Sequence, residues 1–169
     1  MNNLLLTSIF CLGIFACNQS QELSSLDPEN WEKRAISLPA TDSLIDGKTY
    51  LSVYSQIYSY TEHRTHDLTA TISMRNISDM DTVYVLSAKY YDTRGHLIRT
   101  YFDKPIYLAP LETVEIVIDS DDDTGGTGAN FIFGWASRPG RPEPYFEGVM
   151  ITTLGSQGLS FTTQGKRVR

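Results

Sequence analysis

Leu68-Thr69-Ala70-Thr71-Ile72-Ser73-Met74-Arg75 alternates apolar with polar side chains at every step. A period of two puts Leu68, Ala70, Ile72 and Met74 on one face of an extended chain and the hydroxyls and Arg75 on the other, the pattern of a strand half buried in an antiparallel sheet. The pattern stops at Asn76, and the same grammar continues outward on both sides. From Lys48 onward the chain consists of short runs rich in Val, Ile, Thr, Tyr and Phe, broken by turn residues at intervals of about ten. Thr82 to Tyr91 and His96 to Phe102 read as strands joined by Asp92-Thr93-Arg94-Gly95, whose glycine supplies the positive φ of a tight hairpin. Pro105 is tolerated only at an edge, and Leu108-Ala109-Pro110-Leu111 reads as a turn before Val114, Ile116 and Ile118 resume the alternation. Asn130 to Ala136, Phe146 to Thr153, Leu159 to Thr163 and Tyr50 to Ser59 complete about eight strands. The expected fold class is all-β, an immunoglobulin-like antiparallel β-sandwich over residues 48–169, and no internal repeat is visible.

Ahead of the strands the composition changes twice. Leu4 to Ala16 is an uncharged apolar run too short to span a bilayer, ending in Ile14-Phe15-Ala16-Cys17. That ending resembles the lipobox of bacterial lipoproteins, which implies a signal peptide over residues 1–16 and a diacylglyceryl group on Cys17. Phe15 is bulkier than the pattern prefers, and Met1-Asn2-Asn3 has no Lys or Arg; ordinary cleavage after Ala16 would want a small residue where Ile14 stands. Residues 17–47 read as a polar tether. Within it Asp27-Pro28-Glu29 starts a helical turn or two through Arg34, leaving Trp31 to dock or to await a partner.

Composition removes several functions. The chain has 169 residues, a net charge of -6 and a pI near 5.0, whereas binding nucleic acid through its phosphates needs a concentrated basic face. The basic tail Lys166, Arg167 and Arg169 reads as a solvated terminus. Both cysteines, Cys11 and Cys17, precede the domain, which therefore has no thiol for a disulfide, a zinc-thiolate site or a nucleophile.

A family resemblance emerges from four strings in order: Tyr90-Tyr91-Asp92-Thr93-Arg94-Gly95, Leu108-Ala109-Pro110-Leu111, Gly125-Gly126-Thr127-Gly128-Ala129-Asn130-Phe131 with Trp135, and Gln157-Gly158-Leu159-Ser160-Phe161-Thr162. Together they look like the bacterial family named for domain of unknown function 3124, over roughly Tyr50 to the C-terminus. The resemblance implies an envelope or secreted domain and transfers no catalytic residue. Asn130 and Trp135, inside these strings, are the candidate binding residues.

Each candidate site competes with a plainer reading. Asp119, Asp121 and Asp123 have the alternate spacing with which calcium loops present oxygen ligands, so Ca²⁺ is the one cofactor to consider. The sixth position, however, is Thr124 rather than Gly, and the twelfth is Asn130 rather than Glu. His63 and His66, in an expected connection between strands, form a metal clip only if the loop brings them together, and they lack the helical His spacing of zincins. Gly155-Ser156-Gln157-Gly158 is not a nucleophile elbow, and Gly125 to Gly128 is not a phosphate loop. Tyr50, Tyr54, Tyr58 and Tyr60 share one parity, so on a single strand they would share one face, either core or an aromatic platform.

The sequence thus points to a lipid-anchored module of the cell envelope, not an enzyme. Its expected partners are the bilayer through Cys17 and an envelope protein or glycan, met by the loops Asp119 to Asn130 and Arg138 to Pro144. The alternative is a metal-dependent ligand-binding domain or hydrolase.

Overall fold

The computed structural model describes residues 30–39, 43–153 and 158–169. The signal peptide, Cys17 and the helix start at Asp27 lie outside them. A short helix α1 (Trp31–Arg34) opens the described chain, with the Asn30 side chain accepting from the Lys33 amide at 3.1 Å. The strands follow as β1 (Ile45–Val53), β2 (Gln56–Ser59), β3 (Thr61–Asp67), β4 (Thr69–Arg75), β5 (Val83–Tyr91), β6 (Leu97–Phe102), β7 (Ile106–Leu108) and β8 (Thr113–Ile118). After a 3₁₀ segment, Asp123–Gly128, come β9 (Ala129–Ser137), β10 (Tyr145–Thr152), β11 (Leu159–Gln164) and β12 (Lys166–Arg167). Among the described residues no helix is long and apolar enough to cross a membrane.

The strands form an antiparallel β-sandwich. One sheet runs β12-β1-β9-β5-β6, with β7 also on β5; the other runs β11-β10-β4-β8. Alternation does what the sequence promised: Ala70, Ile72 and Met74 of β4 and Val114, Ile116 and Ile118 of β8 point inward, while Thr113, Glu115 and Val117 face solvent. Opposite them stand Leu51 and Val53 of β1 and Phe131, Phe133 and Trp135 of β9. Phe133 stacks on Phe146 of the other sheet at 4.3 Å, so aromatic contact ties the layers at mid-height. A bulge between Val85 and Ser87 re-phases β5, which sends Val83 and Val85 inward before it and Ala88 and Tyr90 after it.

Three expectations need correction. The strand expected from Tyr50 to Ser59 breaks at Tyr54-Ser55, and its second half leaves the sandwich to pair with β3 in a separate two-stranded sheet. The tyrosines therefore do not share a face. The His63 and His66 segment is a strand, not a loop. Part of the expected tether also belongs to the folded body. Trp31 is only 8% exposed and lies 4.8 Å from Phe102, Ala35 bridges Ile106, and the Ile36 amide donates to the Pro105 carbonyl at 2.8 Å. β1 begins at Ile45, three residues of pairing earlier than Lys48, because Ile45, Asp46 and Gly47 pair with Ser137, Ala136 and Trp135. These extra elements, with β7 and β12, raise the strand number above the eight expected.

Strand direction sorts the loops into two groups. β9 starts at Ala129 opposite Val53 and ends at Ser137 opposite Ile45, about 26 Å away at strand rise. The β2–β3 hairpin, the Asp92 turn and residues 119–128 lie at the first end, called apical. Residues 76–82, 109–112 and 138–144 and the C-terminal tail lie at the other, called basal.

Candidate functional site

The apical end is built on one joint. Asp92 Oδ1 accepts from the Arg94 and His96 amides at 2.8 Å each, and Gly95 has φ 82°. The His96 amide is foremost among the donors that hold the Asp92 carboxyl below its ordinary range. Next to it, the Thr93 amide and hydroxyl both donate to the Gly125 carbonyl, at 3.1 and 3.0 Å, and Thr93 Oγ1 accepts from the Gly128 amide at 3.0 Å. A Cβ on Gly125 would stand 1.9 Å from Tyr90 Oη, and Gly126 has φ 71°. The glycine string and the Tyr90-to-Gly95 string are therefore two halves of one contact. They hold the fold together rather than cradle a ligand.

Beneath the joint lies a polar cluster. Asp122 is 1% exposed; it pairs with Arg99 at 3.2 Å and accepts from the Thr124 amide and hydroxyl. Arg99 also donates to Tyr101 Oη at 3.0 Å. The buried Tyr90 hydroxyl has no hydrogen-bond partner of regular geometry, and burial pushes its pKa up, with the Ser55 side chain acting against the shift. The acid of this loop that is buried is thus Asp122, which falls between the expected ligands. Asp119 accepts from the Asp121 amide within its own turn at 3.1 Å, and Asp121 and Asp123 are exposed. His63 and His66, an odd number of residues apart on β3, project to opposite faces, and His63 meets Glu62 at 3.5 Å. Among the described residues no three His, Cys, Asp or Glu side chains are grouped to hold a metal ion. The depression beside the Asp loop, lined by Asp67, Ser120, Asp121 and Thr152, has about 220 Å³, below the usual size of a ligand pocket.

What projects from this end is the β2–β3 hairpin. Its root is fixed: Ser55 is fully buried, its amide donates to the Gly126 carbonyl at 3.2 Å, and its carbonyl accepts from the Leu68 amide at 2.8 Å. Its tip is open. A register shift at Tyr58/Ser59 leads into Tyr60, which has φ 65° and is 92% exposed; Tyr58 is 60% exposed. Arg64 lies 5.5 Å from the Tyr60 ring centroid, and Thr127 donates to the Tyr58 hydroxyl at 3.4 Å. β3 is exposed from Thr61 to Thr65.

The two candidate binding residues from the family strings separate here. Asn130 is partly exposed on β9, between Ser52 and Tyr91. Trp135 is fully buried; its Nε1 donates to Thr49 Oγ1 at 2.9 Å and Arg167 covers its ring, so it offers a ligand no surface. The loops 119–130 and 138–144 stand at opposite ends and cannot form one site.

The basal end is held by Asn76. Its buried Nδ2 donates to the carbonyls of Asp81, Leu108 and Ala109 at 2.7, 3.0 and 3.0 Å, and its Oδ1 accepts from the Ser78 amide. The Leu111 amide donates to the Ser78 carbonyl at 3.0 Å, joining the two turns. Asp81 sits between Arg138 and Arg141 at 3.4 and 3.1 Å. Glu112 accepts from the Ala109 amide and pairs with Arg34 of α1, both at 2.7 Å. Burial alone would raise the Glu112 pKa, but these two donors outweigh it and lower it. Sequence reasoning missed Asn76, although an Asn that ends an alternating run and precedes Ile-Ser-Asp is the sign of such a side-chain clip.

The model of the family described as protein of unknown function (DUF3124) matches residues 46–168. No curated protein and no solved structure matches the chain.

Proposed function

This chain belongs to the DUF3124 family, and from that premise we propose that it is a lipid-anchored, non-catalytic module of the cell envelope. It presents its apical hairpin to another envelope component. The observation that carries the reading is Tyr60, a large aromatic side chain that is 92% exposed in a left-handed backbone conformation. Glycine or asparagine would hold that position with less strain and no exposed ring, so neither folding nor solubility accounts for tyrosine there. Tyr58 beside it and Arg64 over its ring give a mixed aromatic and cationic tip of the kind that recognises a protein loop or a sugar face. The anchor is the lipobox-like Ile14 to Cys17.

Cross-linking in intact cells followed by mass spectrometry tests both parts. The expected result is a diacylglyceryl group on an N-terminal Cys17 and a recurring adduct that disappears with Cys17→Ala and with the pair Tyr58→Ser and Tyr60→Ser. An adduct insensitive to the hairpin pair, in a variant that melts as the native protein does, moves the contact elsewhere. A Cys17 without lipid removes the anchor.

A further inference from the structure

We propose that the basal end of the sandwich is a membrane-contact surface, whose aliphatic loop tips enter the interface of an anionic bilayer. The inference rests on the lipid-anchor reading of Cys17 and specifies which face of the domain the anchor holds against the membrane.

The first observation is the chemistry of the tips. Ile77, Met80 and Leu111 are 54%, 72% and 68% exposed, and the Leu111–Ser78 hydrogen bond joins the turns that carry them. Leu111 has φ 61°. An aliphatic side chain at a positive-φ turn tip is disfavoured by both backbone and solvent, so its presence calls for a contact outside the chain. Hydrocarbon is the contact that fits, because these side chains have no polar group to satisfy and stand at separate tips rather than lining a groove. Asn76 keeps the backbone around them tied, so the tips are presented rather than collapsed onto the sheet.

The second observation is charge. The basal end carries Arg138 and Arg141 on one side and Lys166, Arg167 and Arg169 with Lys48 on the other, the Val168 amide donating to the Lys48 carbonyl. The apical end carries the acidic run Asp119 to Asp123 and Glu62. A domain that is acidic overall is thereby polarised, and beside anionic lipid its basal end is attracted while its apical end is repelled.

The third is the attachment. Trp31 and Arg34 dock α1 beside the 109–112 turn through Phe102 and Glu112, so the link to Cys17 leaves the domain near Leu111. The residues between Cys17 and Asn30 span about 20 Å as a flexible coil, less than the height of the sandwich. The bilayer is therefore within reach of the loop tips.

The test uses the full chain in vesicles of phosphatidylethanolamine and phosphatidylglycerol, with an environment-sensitive dye placed through Met80→Cys in one sample and through Tyr60→Cys in another. The expected result is a blue-shifted emission from position 80, quenched about twofold or more by brominated acyl chains, with position 60 unshifted and unquenched. Adding Leu111→Asn should reduce the quenching at position 80. A solvent-like, unquenched dye at position 80 in vesicle-bound protein, or equal quenching at both positions, overturns the proposal. The intact mass of the same samples reads acylation of Cys17 separately, so loss of the anchor reading is distinguished from loss of the surface.

Discussion

At the apical end a loop is fixed by the absence of side chains: Gly125 lets Tyr90 Oη approach where a Cβ would stand, and Gly128 lets its amide reach Thr93. At the basal end the same task falls to a side chain, the Asn76 amide that gathers three carbonyls from two turns. Steric fit tolerates no enlargement, whereas hydrogen bonding tolerates no deletion. What the ends share is their outermost residues. Tyr60 and Leu111 are the non-glycine residues with positive φ among the described ones, and both are large, exposed and at tips. The rigid parts and the exposed parts thus obey different demands, and substitutions should separate them.

The largest effect is expected from Gly125→Ala. Its methyl group has to displace a buried tyrosine hydroxyl, which should cost about 3 kcal/mol and lower the melting temperature by about 12 °C. Tyr90→Phe in the same chain should restore part of that loss, and by itself should be close to neutral because the hydroxyl it removes has no regular partner. Additive losses in the double variant would break the steric account. At the basal end, Asn76→Ala should cost about 2 kcal/mol by thermal melts, through carbonyls left without their donor.

The tips should respond in the opposite direction. Leu111→Asn and Tyr60→Asn each relieve a left-handed backbone and should stabilise the domain by about 0.5 to 1 kcal/mol, seen as a small rise in melting temperature. Each should weaken one interaction only: Leu111→Asn the bilayer contact, Tyr60→Asn the cross-linked adduct. A destabilised variant would show that the side chain serves the fold.

The smallest effect concerns the Arg34–Glu112 pair. Since the folded protein lowers the Glu112 pKa, the pair contributes above the unfolded carboxylate range and is lost as pH falls through the depressed folded value. The difference in melting temperature between the native chain and Glu112→Gln should be present at neutral pH and vanish below about pH 4, with a size under about 1 kcal/mol because both side chains are partly exposed. A difference that persists in acid would assign the effect to packing.

Much of the sandwich was legible because burial on one face writes a period of two into β4, β8 and the hairpin at Gly95. The break at Ser55 was not, since Tyr54 to Ser59 keeps strand composition throughout and only the hydrogen bonds to Gly126 and Leu68 turn the chain out of the sheet. The Asp run is similarly mute. Which of its carboxylates is buried depends on Arg99, a partner on another strand, and no local spacing encodes that choice. Trp135 and Tyr60 show the same limit from the two sides, one aromatic sealed beneath Arg167 and the other open to solvent.

The most direct test of the two-ended account is photo-crosslinking in living cells, with one photoreactive residue introduced at position 60 or at position 80 of the full chain. The account predicts a discrete adduct with protein or glycan from position 60 and lipid adducts from position 80. Protein adducts from position 80 with none from position 60 would contradict it.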